Sequence, residues 1–297
     1  MKILVSGASG LVGTHLIPTL LAKGRQVYKL VRREPRGMDE IRWDAEKGFT
    51  DEEQLENFDA VVHLAGDNVA SENWSDEKKR SIRESRTVGT RILVDALKRR
   101  INPPKHFISA SAIGFYGNHG DEILNEESGA GNGFLPEVCQ EWEAESSKAA
   151  NFGARVVLLR IGVVLAKDGG ALAKMLTPFK FGVGGATGSG KQWMSWIAVD
   201  DLVKIINFAL DNTDVQGAIN SVTPNAVTNA EFTATLGKVI SRPTFLSTPE
   251  FAIKLLFGEM GETLLLEGAR VYPQRLVDAK FTFDHPNLEA AMRHVLK

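Results

Sequence analysis

The chain has 297 residues, of which 43% are hydrophobic and 24% charged, as in folded globular proteins and unlike disordered or fibrous chains. Its 35 lysines and arginines nearly balance 37 aspartates and glutamates, for a net charge of −2, so charge gives no indication of a nucleic-acid partner. No run reaches the roughly 18 apolar residues of a membrane span, and the single cysteine, Cys139, cannot form an internal disulfide, so we expect a cytosolic protein that binds no membrane.

Short β-branched runs alternate with amphipathic stretches through the first half of the chain. This alternation predicts βαβ units, and therefore an α/β fold with a doubly wound parallel sheet. The expected strands cover residues 2–6, 26–31, 60–64, 106–109 and 156–160. The expected helices cover residues 11–22, 76–99 and 135–151, with Pro18 disturbing the first because proline lacks the amide of a helical hydrogen bond.

The second half of the chain has a different residue pattern. A glycine-rich stretch at 182–190 predicts a long loop, followed by Trp193 and Trp196, which form either a wall facing the substrate or part of the core. Asp200 and Asp201 are expected to cap the next helix rather than bind an ion, and no cluster has metal-ligand spacing. We expect a main domain at 1–220 and a smaller mixed domain at 245–297.

Three glycines in the pattern GASGLVG (Gly7, Gly10 and Gly13) follow the first strand and precede the first helix. A tight turn there needs residues without Cβ, and helix amides bind a diphosphate only if no side chain intervenes. The spacing departs by one residue from the usual G-x-G-x-x-G motif. The alternative is an ordinary glycine-rich turn, but the context favours dinucleotide binding.

The residue type at the end of the second strand distinguishes the two nicotinamide dinucleotides. An acidic residue for the ribose hydroxyl is expected about 20 residues after the glycines, but the chain has Arg32 and Arg33 there. Guanidinium groups match a 2′-phosphate, so NADP is favoured over NAD. The alternative is a pair of solvated arginines, partly neutralised by Glu34. Further on, the small residues of His63-Leu64-Ala65-Gly66 can lie against the adenosine side.

The motifs GASGLVG, HLAG, SASAIGFYG and LRIGVVLA together resemble an extended short-chain dehydrogenase/reductase. The stretches PFKFGVGGATGSGKQWMSWIAVDDL, TNAEFT, GEMGETLLLEGARVYPQRL and HPNLEAAM resemble the atypical epimerase family proteins related to NAD(P)-dependent epimerase/dehydratases. The resemblance covers the whole chain. It implies a Rossmann-type domain that binds NADP and a substrate-side C-terminal domain that is specific to the family.

The resemblance also implies roles for individual residues. By position, the pyrophosphate would be lined by Gly7, Ser9, Gly10, Leu11, Val12 and Gly13. Arg32 and Arg33 would contact the 2′-phosphate, and Leu64 and Ala65 the adenosine side. Arg86 stands where extended reductases carry an asparagine near the cofactor, and is either a phosphate contact or a solvated helix residue. Arg160, at the end of the fifth strand, is expected to have an anionic or polar partner in the cofactor or substrate.

The usual catalytic pair of short-chain reductases is missing. The family's serine has a counterpart in Ser111, with Ser109 as a second candidate, but Cys139 and Glu143 occupy the approximate places of the tyrosine and lysine. Cys139 is expected to be a packed residue, since no nearby cation would activate its thiol. Ser111, Tyr116 and Glu143, a candidate base, remain the catalytic candidates.

Two functions follow from these patterns. The first is an NADP-dependent epimerase or oxidoreductase acting on a small polar substrate such as a nucleotide sugar. The second is an NADP(H)-binding redox sensor or scaffold without turnover, which the missing tyrosine and lysine favour. The sequence leaves open whether the chain forms a homodimer.

Overall fold

The computed structural model describes all residues from Met1 to Lys297. Its strands are β1 (Lys2–Ser6), β2 (Gln26–Val31), β3 (Glu40–Asp44), β4 (Gly48–Phe49), β5 (Ala60–His63), β6 (His106–Ala112), β7 (Ile123–Leu124), β8 (Arg155–Ile161), β9 (Val163–Leu165), β10 (Trp193–Met194), β11 (Trp196–Ala198), β12 (Gly217–Ser221), β13 (Val227–Thr228) and β14 (Arg270–Val271). Its helices are α1 (Leu11–Ala22), α2 (Asp76–Lys98), α3 (Phe134–Ser147), α4 (Gly170–Lys180), α5 (Val199–Asp211), α6 (Asn229–Ile240), α7 (Glu250–Gly261), α8 (Gln274–Asp278) and α9 (Leu288–Val295). None of these helices is both long enough and apolar enough to cross a membrane.

One eight-stranded sheet organises the molecule, in the order β12-β8-β6-β5-β1-β2-β3-β4. All neighbours pair in parallel except β3 and β4. The chain extends the sheet from β1 through β2 in one direction and from β5 through β6 in the other, so the strand order reverses between β1 and β5. In open α/β sheets, ligands bind at the carboxyl ends of the strands beside such a reversal.

Helices cover both faces of this sheet, as the predicted doubly wound fold requires. Ile3 and Val5 of β1 face the cluster that contains α1 and α5, whereas Leu4 between them faces the cluster that contains α2. This alternation follows from the two-residue period of a strand. The predicted Rossmann-type fold is therefore confirmed.

The C-terminal segment shares the cores of the preceding chain. Leu276 and Phe281 join the cluster under α1 and α5. Leu288 and Met292 of α9 pack with Trp196 in a cluster that also includes α4 and α6. Residues after 245 are thus held to the first part of the chain by buried apolar contacts.

The expected capping role of Asp200 and Asp201 is wrong. The residue before α5 is Ala198, and no side chain caps that helix. Asp201 is buried and accepts hydrogen bonds from the backbone amides of Asp284 (2.8 Å) and His285 (2.9 Å). Asp201 is the third residue of α5, and it holds a distant loop instead of capping the helix terminus.

Candidate functional site

The turn between β1 and α1 leaves no room for side chains. Gly7 has a φ of +69°, and a Cβ there would lie 2.7 Å from the carbonyl carbon of Leu64. A Cβ on Gly13 would lie 2.4 Å from the carbonyl oxygen of Gly7, which also accepts the Gly10 amide at 2.9 Å. Helix α1 begins at Leu11 with no side-chain cap and no acidic residue in its first turn. Its first amides are therefore free to bind an anion.

The other residues expected at the pyrophosphate lie on the same turn. Ser9 is exposed, and Leu11 and Val12 are partly buried. The chain returns over this turn before α4, where a Cβ on Gly169 would lie 3.1 Å from Leu11 Cδ1 and one on Gly170 would lie 3.0 Å from Leu11 Cδ2. Small residues on both segments thus allow the second loop to approach the first.

A buried hydrogen-bond chain joins the ends of β1 and β5. The Ser6 hydroxyl oxygen accepts the amides of Leu64 (3.1 Å) and Ala65 (3.2 Å) and lies 2.6 Å from His63 Nδ1. His63 Nε2 lies 2.9 Å from the Thr90 hydroxyl. Burial lowers the pKa of His63 to about 4, so the ring is a neutral structural residue that fixes the turn at Leu64 and Ala65.

The two arginines after β2 have different environments. Arg33 donates two hydrogen bonds to Glu40, at 2.8 and 2.7 Å, and this pairing lowers the pKa of Glu40 to about 2. Glu34, expected to neutralise the arginines, instead pairs with Arg42. Arg32 is exposed and forms no ion pair. It therefore remains free to bind a phosphate.

Arg86 on α2 is a second guanidinium without an anionic partner. It is partly buried, and desolvation lowers its pKa. Its carbon Cζ would lie 3.1 Å from a Cβ at Gly66, which places it against the turn after β5. Its side chain donates only to the Ile82 carbonyl at 3.0 Å, because nearby Asp67 is engaged by Lys78 at 2.6 Å. A cation held this way is suited to bind an anion.

Arg160 does have the anionic partner that was expected, but within the chain. It donates to both carboxylate oxygens of Glu143, at 2.8 and 2.9 Å. Glu143 Oε1 also accepts the Ser111 hydroxyl at 2.7 Å. Arg160 further donates to the Tyr116 hydroxyl at 3.0 Å and lies 3.4 Å from the ring centre of Phe115. The three catalytic candidates are therefore brought together around one guanidinium.

Sheet register explains this convergence. Ser111 on β6 is the register partner of Arg160 on β8, which is the register partner of Asn220 on β12. Asn220 accepts the Tyr116 hydroxyl at 2.7 Å. Sequence reasoning missed Asn220 because β12 was not predicted, and no motif marks it.

Tyr116 and Cys139 are both deeply buried. The side chain of Tyr116 is fully buried, and burial raises its pKa. Cys139 is also buried, and desolvation raises the pKa of its thiol to about 12. Cys139 is therefore a packed, protonated residue, as expected.

The two tryptophans, expected to form either a wall facing the substrate or part of the core, have different environments. Trp196 is fully buried and packs in the cluster beneath α4 and α6. Trp193 is partly exposed, donates to Asp121 at 2.7 Å and lies 4.3 Å from the guanidinium of Arg270. Only Trp193 is available to contact a ligand.

The sequence matches two family models. Residues 3–221 match the NAD dependent epimerase/dehydratase family, and residues 248–295 match a domain of unknown function, DUF1731. An epimerase family protein from Mycobacterium bovis is 41% identical over 288 residues, which cover 97% of this chain and 95% of that protein.

Solved structures agree with these matches. The crystal structure of the human epimerase family protein SDR39U1 (isoform 2) with NADPH superposes with a TM-score of 0.91 and 33% identity, covering 100% of this chain and 99% of that one. A nucleoside-diphosphate sugar epimerase from Corynebacterium glutamicum superposes with a TM-score of 0.82 and 36% identity, covering 100% of this chain and 58% of that one. A nicotinamide dinucleotide is thus bound by a close structural relative. The chain belongs to the NAD dependent epimerase/dehydratase family.

Proposed function

We propose that this protein binds NADP(H) and transfers a hydride between it and a small polar substrate, as an oxidoreductase or epimerase. The proposal is carried by two features of neighbouring strands: the exposed, unpaired guanidinium of Arg32 directly after β2, and a glycine turn after β1 that excludes side chains. Parallel β1 and β2 end at the same edge of the sheet, so the amides of the turn and Arg32 can serve the two ends of one adenosine diphosphate moiety.

The residues of this edge fit the cofactor. The amides after Gly10 would hold the diphosphate, Arg32 the 2′-phosphate, and the turn of Leu64 and Ala65 the adenosine side. Arg33 supports this pocket through Glu40, and Arg86 supplies a second positive charge. When bound, the nicotinamide accepts or donates a hydride.

Proton movement would use the buried network. A substrate hydroxyl placed against Ser111 can give its proton to the Ser111 oxygen as the serine proton moves to Glu143 Oε1, 2.7 Å away. Arg160 holds the carboxylate in position, and Tyr116 fixes Arg160 from the other side. In this scheme Ser111 contacts the substrate and Glu143 is the base.

The C-terminal segment would supply the substrate side. Buried Ser195 donates to the Ala269 carbonyl at 2.7 Å and accepts the Val271 amide at 2.9 Å. This fixes Arg270 against the exposed face of Trp193. Because one neighbour is a nucleoside-diphosphate sugar epimerase, nucleotide sugars are the first substrates to test.

The cofactor proposal is tested by calorimetric titration with NADPH and NADH. The protein should bind NADPH more tightly, since each phosphate contact by a guanidinium is charge-assisted. Arg32→Ala should weaken NADPH binding about tenfold or more while leaving NADH binding unchanged. Arg91→Ala, at an exposed position on α2, is the matched control. Equal affinity of the unmodified protein for the two dinucleotides would contradict the proposal.

The hydrogen-bonded network around Arg160 also favours a second function, binding of NADP(H) without turnover. Glu143, Arg160 and Tyr116 satisfy one another without a ligand, as in a protein that binds NADP(H) without turnover. NADPH oxidation over a panel of carbonyl compounds and nucleotide sugars separates the two functions. Activity that Ser111→Ala abolishes and Ser109→Ala retains supports the enzyme. NADPH binding without oxidation of any substrate in the panel supports the sensor or scaffold.

A further inference from the structure

Three potential metal ligands meet at the surface, where the end of the C-terminal helix lies near the first turn of α5. They are Asp200 in the first turn of α5, His285 in the segment before α9, and His294 near the end of α9. One ligand atom from each lies within 4.8 Å of the other two. His294 Nε2 is 3.0 Å from Asp200 Oδ2, and the two imidazole rings stack with centres 4.1 Å apart.

The backbone that carries these ligands is held in place by hydrogen bonds. Buried Asp201 accepts the amides of Asp284 and His285. The Pro286 carbonyl accepts the side-chain amide of Asn225 at 2.9 Å. A ligand set on fixed backbone loses little conformational freedom on binding, and this favours affinity.

Burial fixes α9 as well. Leu288 is 7% exposed and Met292 is inaccessible, so the apolar face of α9 is locked into the core, whereas His294 is exposed. The neighbouring acid, Asp284, is engaged by Lys204. Asp200 remains the one carboxylate available to both rings.

The chemistry of the donors selects the class of ion. Two imidazole nitrogens and one carboxylate oxygen suit a borderline divalent ion such as Zn²⁺, whereas Mg²⁺ and Ca²⁺ prefer oxygen ligands alone. Zinc bonds of about 2.0–2.2 Å place the ligand atoms about 3.4 Å from one another. His294 Nε2 and Asp200 Oδ2, at 3.0 Å, would therefore move slightly apart, and side-chain rotation at these partly exposed positions allows all three atoms to adjust.

We propose that Asp200, His285 and His294 form a Zn²⁺ site, with water in the remaining position, that fastens the C-terminal helix to α5. The pair of His15 and Asp168 provides an internal comparison. His15 Nε2 lies 3.1 Å from Asp168 Oδ2, but no second histidine joins them. A third histidine–carboxylate pair joins His119 to Glu122 at 3.2 Å. Of the three pairs, only that of His294 and Asp200 has a third ligand.

The test is calorimetric titration of tag-free, chelator-treated protein with Zn²⁺, and with Mg²⁺ in parallel. We expect one equivalent of Zn²⁺ to bind and the melting temperature to rise by a few degrees at saturation. His285→Gln, His294→Gln and Asp200→Asn should each weaken Zn²⁺ binding at least about tenfold. His15→Gln, the matched control at a two-residue pair, should bind Zn²⁺ like the unmodified protein.

Either of two results would contradict the proposed Zn²⁺ site. One is unmodified protein that binds Zn²⁺ no more tightly than the doubly substituted His285→Gln, His294→Gln protein. Another is loss of binding in His15→Gln, which would move the ion to the pair of His15 and Asp168. Circular dichroism and the melting temperature of each variant without zinc establish that any loss of binding occurs in folded protein.

Discussion

Arg160 and Glu143 form a buried ion pair whose effect on the free energy of unfolding depends on both partners being present. Their side chains are only 6% and 11% exposed, and the carboxylate also accepts a hydrogen bond from Ser111. Removing one charge leaves the other buried without compensation, whereas removing both leaves no uncompensated charge. The pair therefore constrains which substitutions the site tolerates, independently of catalysis.

We predict that Glu143→Gln lowers the free energy of unfolding by about 3 kcal/mol. The double change Glu143→Leu with Arg160→Met should cost less than the sum of the two single changes. Urea denaturation of the unmodified protein, Glu143→Leu, Arg160→Met and the double variant measures this coupling. Glu289→Gln, which weakens the surface pairs of Glu289 with Arg293 and Lys238, is the control and should cost less than about 1 kcal/mol. Equal losses at the two pairs would show that burial does not govern the effect.

His63 predicts a pH dependence of stability. Its pKa is about 4 in the folded protein because burial disfavours the charged ring, against an ordinary value of 6.5. Between these values the unfolded chain binds more protons than the folded one, so stability falls as the pH decreases from about 6.5 to about 4. This residue contributes at most about 1.4 kcal/mol per pH unit in that window.

Urea denaturation between about pH 4 and pH 7 measures this slope. The slope should be smaller in His63→Gln, because glutamine does not titrate. The difference between the two proteins isolates His63 from the carboxylates that also titrate in acid. Parallel curves for the two proteins would mean that His63 binds a proton as readily in the folded protein as in the unfolded chain.

At the scale of elements, residue patterns predicted the strands and helices that carry strong periodicity. Helix α1 has the predicted bounds and continues past Pro18, with Leu16 and Leu20 fully buried on either side of the proline. Strand β12 was missed because its residues, GAINS, combine a glycine, polar side chains and a length of five. Its place at the sheet comes from pairing with β8, a contact between distant parts of the chain.

The candidate site, like the fold, has features that the sequence predicted and features that it did not. The glycine turn and Arg32 were predictable because local geometry and charge determine their roles. The bidentate contact of Arg160 with Glu143 was not, because it depends on the packing of α3 against β8. Sequence spacing placed Glu143 near the lysine position of short-chain reductases, but the position alone does not specify the partner.

The first turn of α1 predicts a strict requirement for glycine. Gly13→Ala would place a Cβ 2.4 Å from the Gly7 carbonyl oxygen, so α1 must move away from the turn. We expect NADPH binding to weaken at least about tenfold and the free energy of unfolding to fall by about 1–3 kcal/mol. Gly129→Ala, at a position with no atom within 4 Å of the new Cβ, is the control. NADPH titration and urea denaturation measure both effects, and normal NADPH affinity in Gly13→Ala would argue against diphosphate binding at this turn.

At the scale of the whole molecule, the C-terminal segment completes cores that the first 220 residues leave open. Met292 and Leu288 fill the cluster around Trp196, and Leu276 fills the cluster around α5. The attachment is also polar, through Asp201 and the amides that precede α9. Loss of that attachment should therefore release the end of the chain before the sheet unfolds.

Asp201→Ala tests whether the C-terminal segment detaches before the sheet unfolds. It removes two charge-assisted hydrogen bonds and should lower the free energy of unfolding by about 3 kcal/mol. Hydrogen exchange in zinc-free buffer should accelerate first in α9 and the 284–286 segment, while amides of β1 and β5 keep their relative protection. Asp200→Ala, next in sequence but exposed, should leave exchange in α9 nearly unchanged. Uniform acceleration across α9 and the sheet would mean that the C-terminal segment unfolds only with the whole molecule, because its buried apolar contacts alone suffice to hold it.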